Sequence, residues 1–214
     1  MANKFKSFSH LDGIEKDSSF YNHYIDKKSY SAPLYQSNAI KLYRKAETYL
    51  PNKNVNILDM GCGSGRFAKL LYMLDYKNYY GVDFACDVVK AAKFYVPNYK
   101  FDCADLFKIS NTFNKFDVFI CLEILEHIHK DMELISTIPR DKQVIFSVPN
   151  FYSRSHVIAY RNVKDVMDRY KDLLIFKNFH IERRRTMMAT FAGKNGPEKR
   201  IDKTTIFIFN CVRR

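Results

Sequence analysis

Three side chains in the run Cys121-Leu122-Glu123-Ile124-Leu125-Glu126-His127-Ile128 carry the chemistry that first draws attention. If a helix starts near Glu123, these residues at i, i+3 and i+4 put Glu123, Glu126 and His127 on one face. Two carboxylates and an imidazole can hold a divalent metal, and they can equally serve as acid–base groups. His156 follows Ser147-Val148-Pro149-Asn150-Phe151 and is a fourth candidate for the same set. With imidazole among the donors, manganese, iron, cobalt or zinc fits as well as magnesium.

A second constellation lies upstream. Val55-Asn56-Ile57-Leu58-Asp59-Met60-Gly61-Cys62-Gly63-Ser64-Gly65 is an apolar, β-branched run that ends in an acid and three alternate glycines. It reads as a buried strand turning tightly into a helix over Arg66 to Leu74, a junction that cradles a nucleotide on free backbone N–H groups. A dinucleotide fingerprint needs a small residue where Arg66 stands, and no Gly-Lys-Ser/Thr follows the turn, so neither a nicotinamide site nor a Walker A loop is expected. Two acids sit downstream at strand ends. Asp83 closes Tyr79-Tyr80-Gly81-Val82-Asp83, where a carboxylate can accept from both hydroxyls of a ribose. Asp105 closes Phe101-Asp102-Cys103-Ala104-Asp105-Leu106, where it can accept from an adenine amine.

The elements that must position these groups alternate. Strands are expected over 79–84, 99–105, 116–123 and 143–150, with helices over 37–49, 87–94, 128–136 and 163–173. Such β-α alternation implies a parallel sheet with right-handed crossovers, and ligands of such sheets bind beyond the carboxyl ends of the strands. Two further strand-like runs, 180–188 and 204–212, flank Gly193-Lys194-Asn195-Gly196-Pro197 and predict a terminal antiparallel hairpin. Residues 1–50 form an aromatic lead with Tyr21, Tyr24, Tyr30 and Tyr35, within the same domain as the core over residues 51–214.

At 214 residues, 47% hydrophobic and 15% aromatic, the chain is sized for one α/β domain, and no apolar run approaches a membrane span. The lead Met1-Ala2-Asn3-Lys4-Phe5-Lys6 has no apolar stretch behind its charges, so a cytoplasmic location is expected. Cys62, Cys86, Cys103, Cys121 and Cys211 are odd in number and widely spread, which reads as reduced thiols. Lys+Arg 35 against Asp+Glu 23 gives a net charge of +12. Most of it is scattered, but Arg183-Arg184-Arg185, Lys194, Lys199-Arg200, Lys203 and Arg213-Arg214 could form one basic patch.

Through Ile57-Leu58-Asp59-Met60-Gly61-Cys62-Gly63-Ser64-Gly65, Val82-Asp83, Ala104-Asp105-Leu106 and Phe116-Asp117-Val118-Phe119, the chain resembles the class I S-adenosylmethionine-dependent methyltransferases. The resemblance implies a Rossmann-like fold, a seven-stranded and mostly parallel sheet with an antiparallel last strand and helices on both faces. It implies that Gly61, Gly63 and Gly65 line the methionine side of S-adenosylmethionine, that Asp83 holds the ribose and that Asp105 binds the adenine. Asp59, Phe84, Leu106 and Leu122 are carried over as further cofactor contacts. By the same resemblance, Tyr24 and Tyr30 would form a lid.

The Glu-x-x-Glu-His segment and the Val-Pro-Asn-Phe segment with a later His resemble the ubiquinone-biosynthesis-type O-methyltransferases. Small-RNA 3′-terminal 2′-O-methyltransferases use a similar Glu-x-x-Glu-His and a later His to bind magnesium between terminal hydroxyls, a resemblance that implies Glu123, Glu126, His127 and His156 as a metal set. Transfer from a sulfonium needs in-line positioning and a base or metal at a hydroxyl acceptor, and His127 or His156 is the candidate base. The expected activity is O-methylation of a small molecule. The alternative is metal-dependent 2′-O-methylation of an RNA terminal ribose, with RNA held by the basic C-terminal region.

Overall fold

The computed structural model of the chain describes residues 8–10, 14–22, 34–193 and 196–214. In chain order, β1 (Phe8–His10), α1 (Ser18–Asn22) and α2 (Ile40–Glu47) precede the glycine turn. β2 (Asn56–Met60), α3 (Arg66–Met73), β3 (Asn78–Asp83), α4 (Cys86–Tyr95), β4 (Lys100–Cys103) and β5 (Val118–Leu122) build the first half of the sheet. α5 (Asp131–Thr137), β6 (Gln143–Pro149), β7 (Ile158–Tyr160), α6 (Val163–Tyr170), β8 (Leu174–Gly193) and β9 (Gly196–Arg213) complete it.

Among the described residues the main sheet has seven strands in the order β4-β3-β2-β5-β6-β9-β8. β2 through β6 run parallel, while β9 is antiparallel to β6 and β8 antiparallel to β9. The alternation of the strands explains why both faces are covered. On β2, β5 and β6, Leu58, Phe119, Val144 and Phe146 pack into one apolar cluster. Their neighbours Ile57, Val118, Ile120 and Ile145 pack into the other. Side chains of period two thus feed two cores, as a sheet sandwiched between helices requires. The strand order reverses between β2 and β5, which opens a crevice at their carboxyl ends.

Several expectations change. No helix starts at Glu123: that residue takes a φ of +58° and a single 3₁₀ turn follows over Leu125–His127, so α5 waits until Asp131. The helical spacing was therefore the wrong frame for Glu123, Glu126 and His127. Asp131 starts α5 because it is fully buried and its carboxylate accepts from the Arg169 guanidinium and from Tyr170 Oη at 2.6 Å, tying α5 to α6. A two-stranded sheet of β1 and β7 was not foreseen.

The terminal hairpin is far longer than the 180–188 and 204–212 runs. β9 pairs with β6 only from Ile206 to Val212, so the remaining length of β8 and β9 rises past the carboxyl edge of the sheet. This arm is fastened by Tyr152 N donating to Thr190 O at 2.8 Å and Asn150 N donating to Thr205 O at 3.0 Å. Arg213 consequently does not join the basic residues of this arm. Arg213 is buried at the opposite end of β9, where Nε donates to Ile135 O at 3.0 Å, while Lys199 and Lys203 lie in the arm. Lys194 lies outside the described residues.

The five cysteines are not all reduced thiols. Cys86, the first residue of α4, and Cys103, the last of β4, have Cα atoms 5.0 Å apart and are joined as a disulfide. The crossover from helix back to strand brings together positions whose spread in the sequence concealed them. Cys62, Cys121 and Cys211 are free and buried. Among the described residues no helix is long and apolar enough to cross a membrane.

Candidate active site

The glycine turn folds back onto β3, with Gly61 N and Cys62 N donating to Val82 O at 2.8 and 3.1 Å. Gly61 takes a φ of +76°, so the backbone conformation demands glycine, and a Cβ there would also push Ile124 Cδ1, 2.6 Å away, aside. Gly65, with a φ of +77°, caps α3 against Ala92. Asp83 ties the turn to the next helix: its carboxylate accepts from Gly63 N at 3.0 Å and from Ala85 N at 2.9 Å. Burial holds the Asp83 carboxyl above its ordinary range, against these two N–H groups that pull it down.

These elements enclose a cavity of about 500 Å³, within the usual range for small-molecule sites. Gly61, Gly63, Asp83, Phe84, Asp105 and Leu106 line it, so most of the cofactor set read from the sequence comes together. Asp105 is exposed at the rim and accepts from Phe107 N at 3.0 Å. Three members of the set stand back from the wall. Gly65 packs against α4, Leu122 packs into the cores beside α2, and Asp59 lies beneath the turn, where Tyr79 Oη donates to it.

Burial pushes the Asp59 carboxyl up to about 7, with the nearby Asp83 charge adding to the effect and the Tyr79 hydrogen bond opposing it. A folded carboxyl that keeps its proton to about pH 7, when the unfolded one loses it near pH 4, makes stability fall as pH rises through that window. Asp59→Asn is therefore expected to flatten the decline between pH 4 and 7 and to stabilise the ligand-free chain by on the order of 2 kcal/mol at pH 8. Thermal melts across pH check this, and an unchanged slope counts against it.

On the other side of the cavity the structure rearranges the acid and imidazole groups. Ligand atoms of Glu126, His127 and His156 all lie within 4.8 Å of one another, and Glu123 is outside that group. Glu123 is instead held by β6: its N donates to Ser147 Oγ at 3.0 Å, and that hydroxyl donates to Glu123 Oε1 at 2.7 Å. Its left-handed backbone is a strained conformation for a residue with a side chain, maintained on the cavity wall. Burial raises the Glu123 carboxyl as well.

Glu126 is fully buried, and neither carboxylate oxygen has a hydrogen-bond partner. Burial, with the Glu123 charge added, drives its carboxyl well above the ordinary range. Both imidazoles are oriented by backbone carbonyls: His127 Nδ1 donates to Ser155 O at 2.8 Å, and His156 Nδ1 donates to Phe151 O at 2.9 Å. That fixes the tautomer and leaves each Nε2 with its lone pair free, the arrangement of metal-ligating histidines. Burial lowers both rings, His156 to about 3 with the neighbouring His127 contributing, so both are neutral at physiological pH. His127 lines the cavity; His156 lies behind it, with ring centroids 4.8 Å apart. Two neutral imidazoles and a buried carboxyl without a hydrogen bond, its Oε1 3.7 Å from His127 Nε2, fit a divalent cation of the manganese-to-zinc series.

Residues 14–22 also reach the site, with a tyrosine other than those expected to form the lid. Tyr24 and Tyr30 lie outside the described residues. Tyr21 lines the cavity edge-on to Phe84 at 5.5 Å and to His127 at 6.0 Å. The segment spans the opening, since Glu15 Oε2 accepts from His129 N at 2.9 Å and Asn22 Oδ1 accepts from Asp87 N at 3.1 Å. Glu15 and Lys16 carried no motif that could have singled them out.

Known proteins resemble this chain in sequence and in fold. A ubiquinone biosynthesis O-methyltransferase of Thiobacillus denitrificans is 26% identical over 71% of this chain and 69% of its own length. A protein of the same name from Coxiella burnetii is matched over 45% of its length, at 27% identity. Among solved structures, an S-adenosylmethionine dependent methyltransferase from Mesorhizobium loti superimposes with a TM-score of 0.58 at 16% identity, covering 85% of this chain and 100% of that one. The N-terminal domain of EvdMO1 with SAH bound gives 0.58 at 13% identity, over 84% and 82%. At these identities the solved structures speak to the fold. The family model described as a methyltransferase domain matches residues 51–196. With the glycine turn, the strand-end acids and the antiparallel β9 all inside that span or continuous with it, the chain belongs to the methyltransferase-domain family and is a class I S-adenosylmethionine-dependent methyltransferase.

Proposed function

We propose that the chain transfers the methyl group of S-adenosylmethionine to a hydroxyl oxygen of a small molecule, with a divalent cation held by Glu126, His127 and His156. The observation that carries this reading is the buried Glu126 carboxyl, which has no hydrogen-bond partner, lies 3.7 Å from His127 Nε2, and is flanked by two imidazoles whose Nδ1 atoms are already engaged. Burial favours the protonated form of Glu126, and a cation between these donors would displace that proton and engage all three. The O-methyltransferase relative supports the oxygen acceptor.

In this reading Asp83 and Asp105 hold the ribose and adenine, and the turn from Gly61 to Gly65 approaches the methionine portion. The sulfonium methyl is itself strongly electrophilic, so the residues act mainly by alignment. Residues 14–22 cover the cavity as a lid and exclude water, with Tyr21 between the cofactor side and His127. When bound, the cation supplies Lewis acidity that lowers the pKa of the acceptor hydroxyl. His127 Nε2 would be a ligand atom, and the hydrogen bond that Nδ1 donates to Ser155 O keeps the ring aimed. Glu123, anchored on Ser147, presents a carboxyl to the acceptor side of the same wall.

The test uses methyl-labelled S-adenosylmethionine with manganese, offering a catechol (3,4-dihydroxybenzoate) in one arm and a short RNA bearing a terminal 2′,3′-diol in the other. Label in the catechol is expected, with little change between 50 and 200 mM salt. Label only in RNA, with the steep salt dependence of phosphate contacts, would replace the small-molecule acceptor by a terminal ribose.

A further inference from the structure

The two acids assigned to the cofactor stand on neighbouring strands, and the turns that follow them are joined by a covalent bond. Asp83 ends β3 and lies in register with Cys103, the end of β4. Ala104 N donates to Asp83 O at 3.0 Å, and Asp105 comes next. On the other side, Asp83 leads through Phe84 and Ala85 into Cys86, which begins α4. The disulfide between Cys86 and Cys103 therefore closes a small ring around the Phe84-Ala85 turn. Phe84 is 44% exposed, lines the cavity, and meets Tyr21. Apart from the cross-link, the turn and the start of α4 are held by Ala85 N donating to Asp83, by the fourth residue of α4 donating back to Ala85 O, and by Asp87 N donating to Asn22 Oδ1 at 3.1 Å. Both cysteines are exposed, so a small thiol in solvent can reach the bond.

We propose that the Cys86–Cys103 pair is a redox-sensitive modification site that sets cofactor affinity, the disulfide form holding the Phe84-Ala85 turn against the ribose and adenine acids. The proposal rests on the assignment of Asp83 and Asp105 to the cofactor. The dithiol form lets the start of α4 move away from the end of β4 and binds the cofactor more weakly.

The chemistry is thiol–disulfide exchange with a monothiol of the glutathione class. Its thiolate attacks one cysteine sulfur, the bond between the two cysteine sulfurs breaks, and the released cysteine thiolate takes a proton. A second monothiol attacks the mixed disulfide in the same way, releasing the other cysteine as a thiol. The small-molecule disulfide leaves, and the protein has gained two electrons and two protons. The reverse reaction uses that small-molecule disulfide as oxidant.

Calorimetric titration with S-adenosylhomocysteine tests the proposal on the oxidised chain, on the chain reduced with a phosphine, and on Cys86→Ser. The oxidised chain is expected to bind about tenfold more tightly than the other two, a typical coupling between sites. Linkage requires the reciprocal effect, so saturating S-adenosylhomocysteine should raise by about tenfold the ratio of squared monothiol to disulfide needed to reduce half of the protein. That second measurement uses the unaltered chain and decides the matter even if Cys86→Ser folds poorly. Equal affinity in both redox states, or a redox midpoint indifferent to S-adenosylhomocysteine, overturns the switch and leaves the cofactor assignment standing. Binding to neither state overturns both.

Discussion

Glu126→Gln is expected to remove metal-stimulated methyl transfer, lowering kcat/KM by about 10²- to 10³-fold, the several kcal/mol that a catalytic cation contributes to stabilising developing charge. The substitution keeps the shape of the side chain and deletes its charge. In the cation-free chain that charge is unfavourable, because burial and the Glu123 carboxylate both drive the Glu126 carboxyl upward. A carboxyl raised in the folded state binds more protons there than in the unfolded chain, so cation-free stability falls as pH climbs above the ordinary carboxylate range. Glu126→Gln should thus raise the Tm of the cation-free protein at neutral pH while abolishing the further rise in Tm that manganese or zinc gives the unaltered chain. A residue that merely braced the sheet would do the opposite and lose stability on substitution. Both imidazoles are already neutral, so protons compete with the cation chiefly at Glu126, and metal affinity is expected to increase with pH as that carboxyl ionises. Full turnover in excess EDTA, or in the Gln variant, sinks the metal assignment.

Asp83→Ala is expected to weaken S-adenosylhomocysteine binding by about 10²- to 10³-fold, as the loss of two hydrogen bonds to a charged acceptor implies. The carboxylate has a second duty that adds to the loss, since it holds Gly63 N and Ala85 N and so shapes both the glycine turn and the start of α4. Asp83→Asn keeps one acceptor oxygen and should fall between. Asp105→Ala provides the comparison: the side chain is exposed at the rim, and the expected loss is about tenfold, one hydrogen bond in a wetter setting. Titration calorimetry with melting curves separates lost contacts from a loosened turn. Unchanged affinity in Asp83→Ala removes the ribose assignment.

The cofactor half of the site was legible because its information is local. A glycine turn needs its residues contiguous, and an acid at a strand end is marked by the apolar run before it, so the sequence could place Gly61, Gly63, Asp83 and Asp105 at one sheet edge, where they line one cavity. Their cofactor roles rest on the resemblance. The acceptor half was legible in composition and illegible in geometry. Glu123, Glu126 and His127 have helical spacing, yet packing on β6 turns Glu123 into a left-handed conformation and hands its carboxylate to Ser147. His156 meets His127 only because the segment after β6 folds back across the sheet edge, where Val157 N donates to Glu126 O at 2.8 Å. Tyr21 reached the cavity through contacts made by Glu15 and Asn22 with distant backbone groups.

Sequence by itself therefore determined the fold class, the nucleotide cradle and the residue types available for catalysis, since strand alternation, glycine spacing and strand-end acids are short-range patterns. The resemblance those motifs carry implied the methyl donor. Tertiary structure alone decided which acid sits with the two imidazoles, that Cys86 and Cys103 meet, and that Arg213 and the arm lysines lie at opposite ends of β9. Those outcomes depend on which strands become neighbours and which side chains lose water when they do. Burial then acts on charge with full strength, and it singles out Glu126 from residues that look alike along the chain.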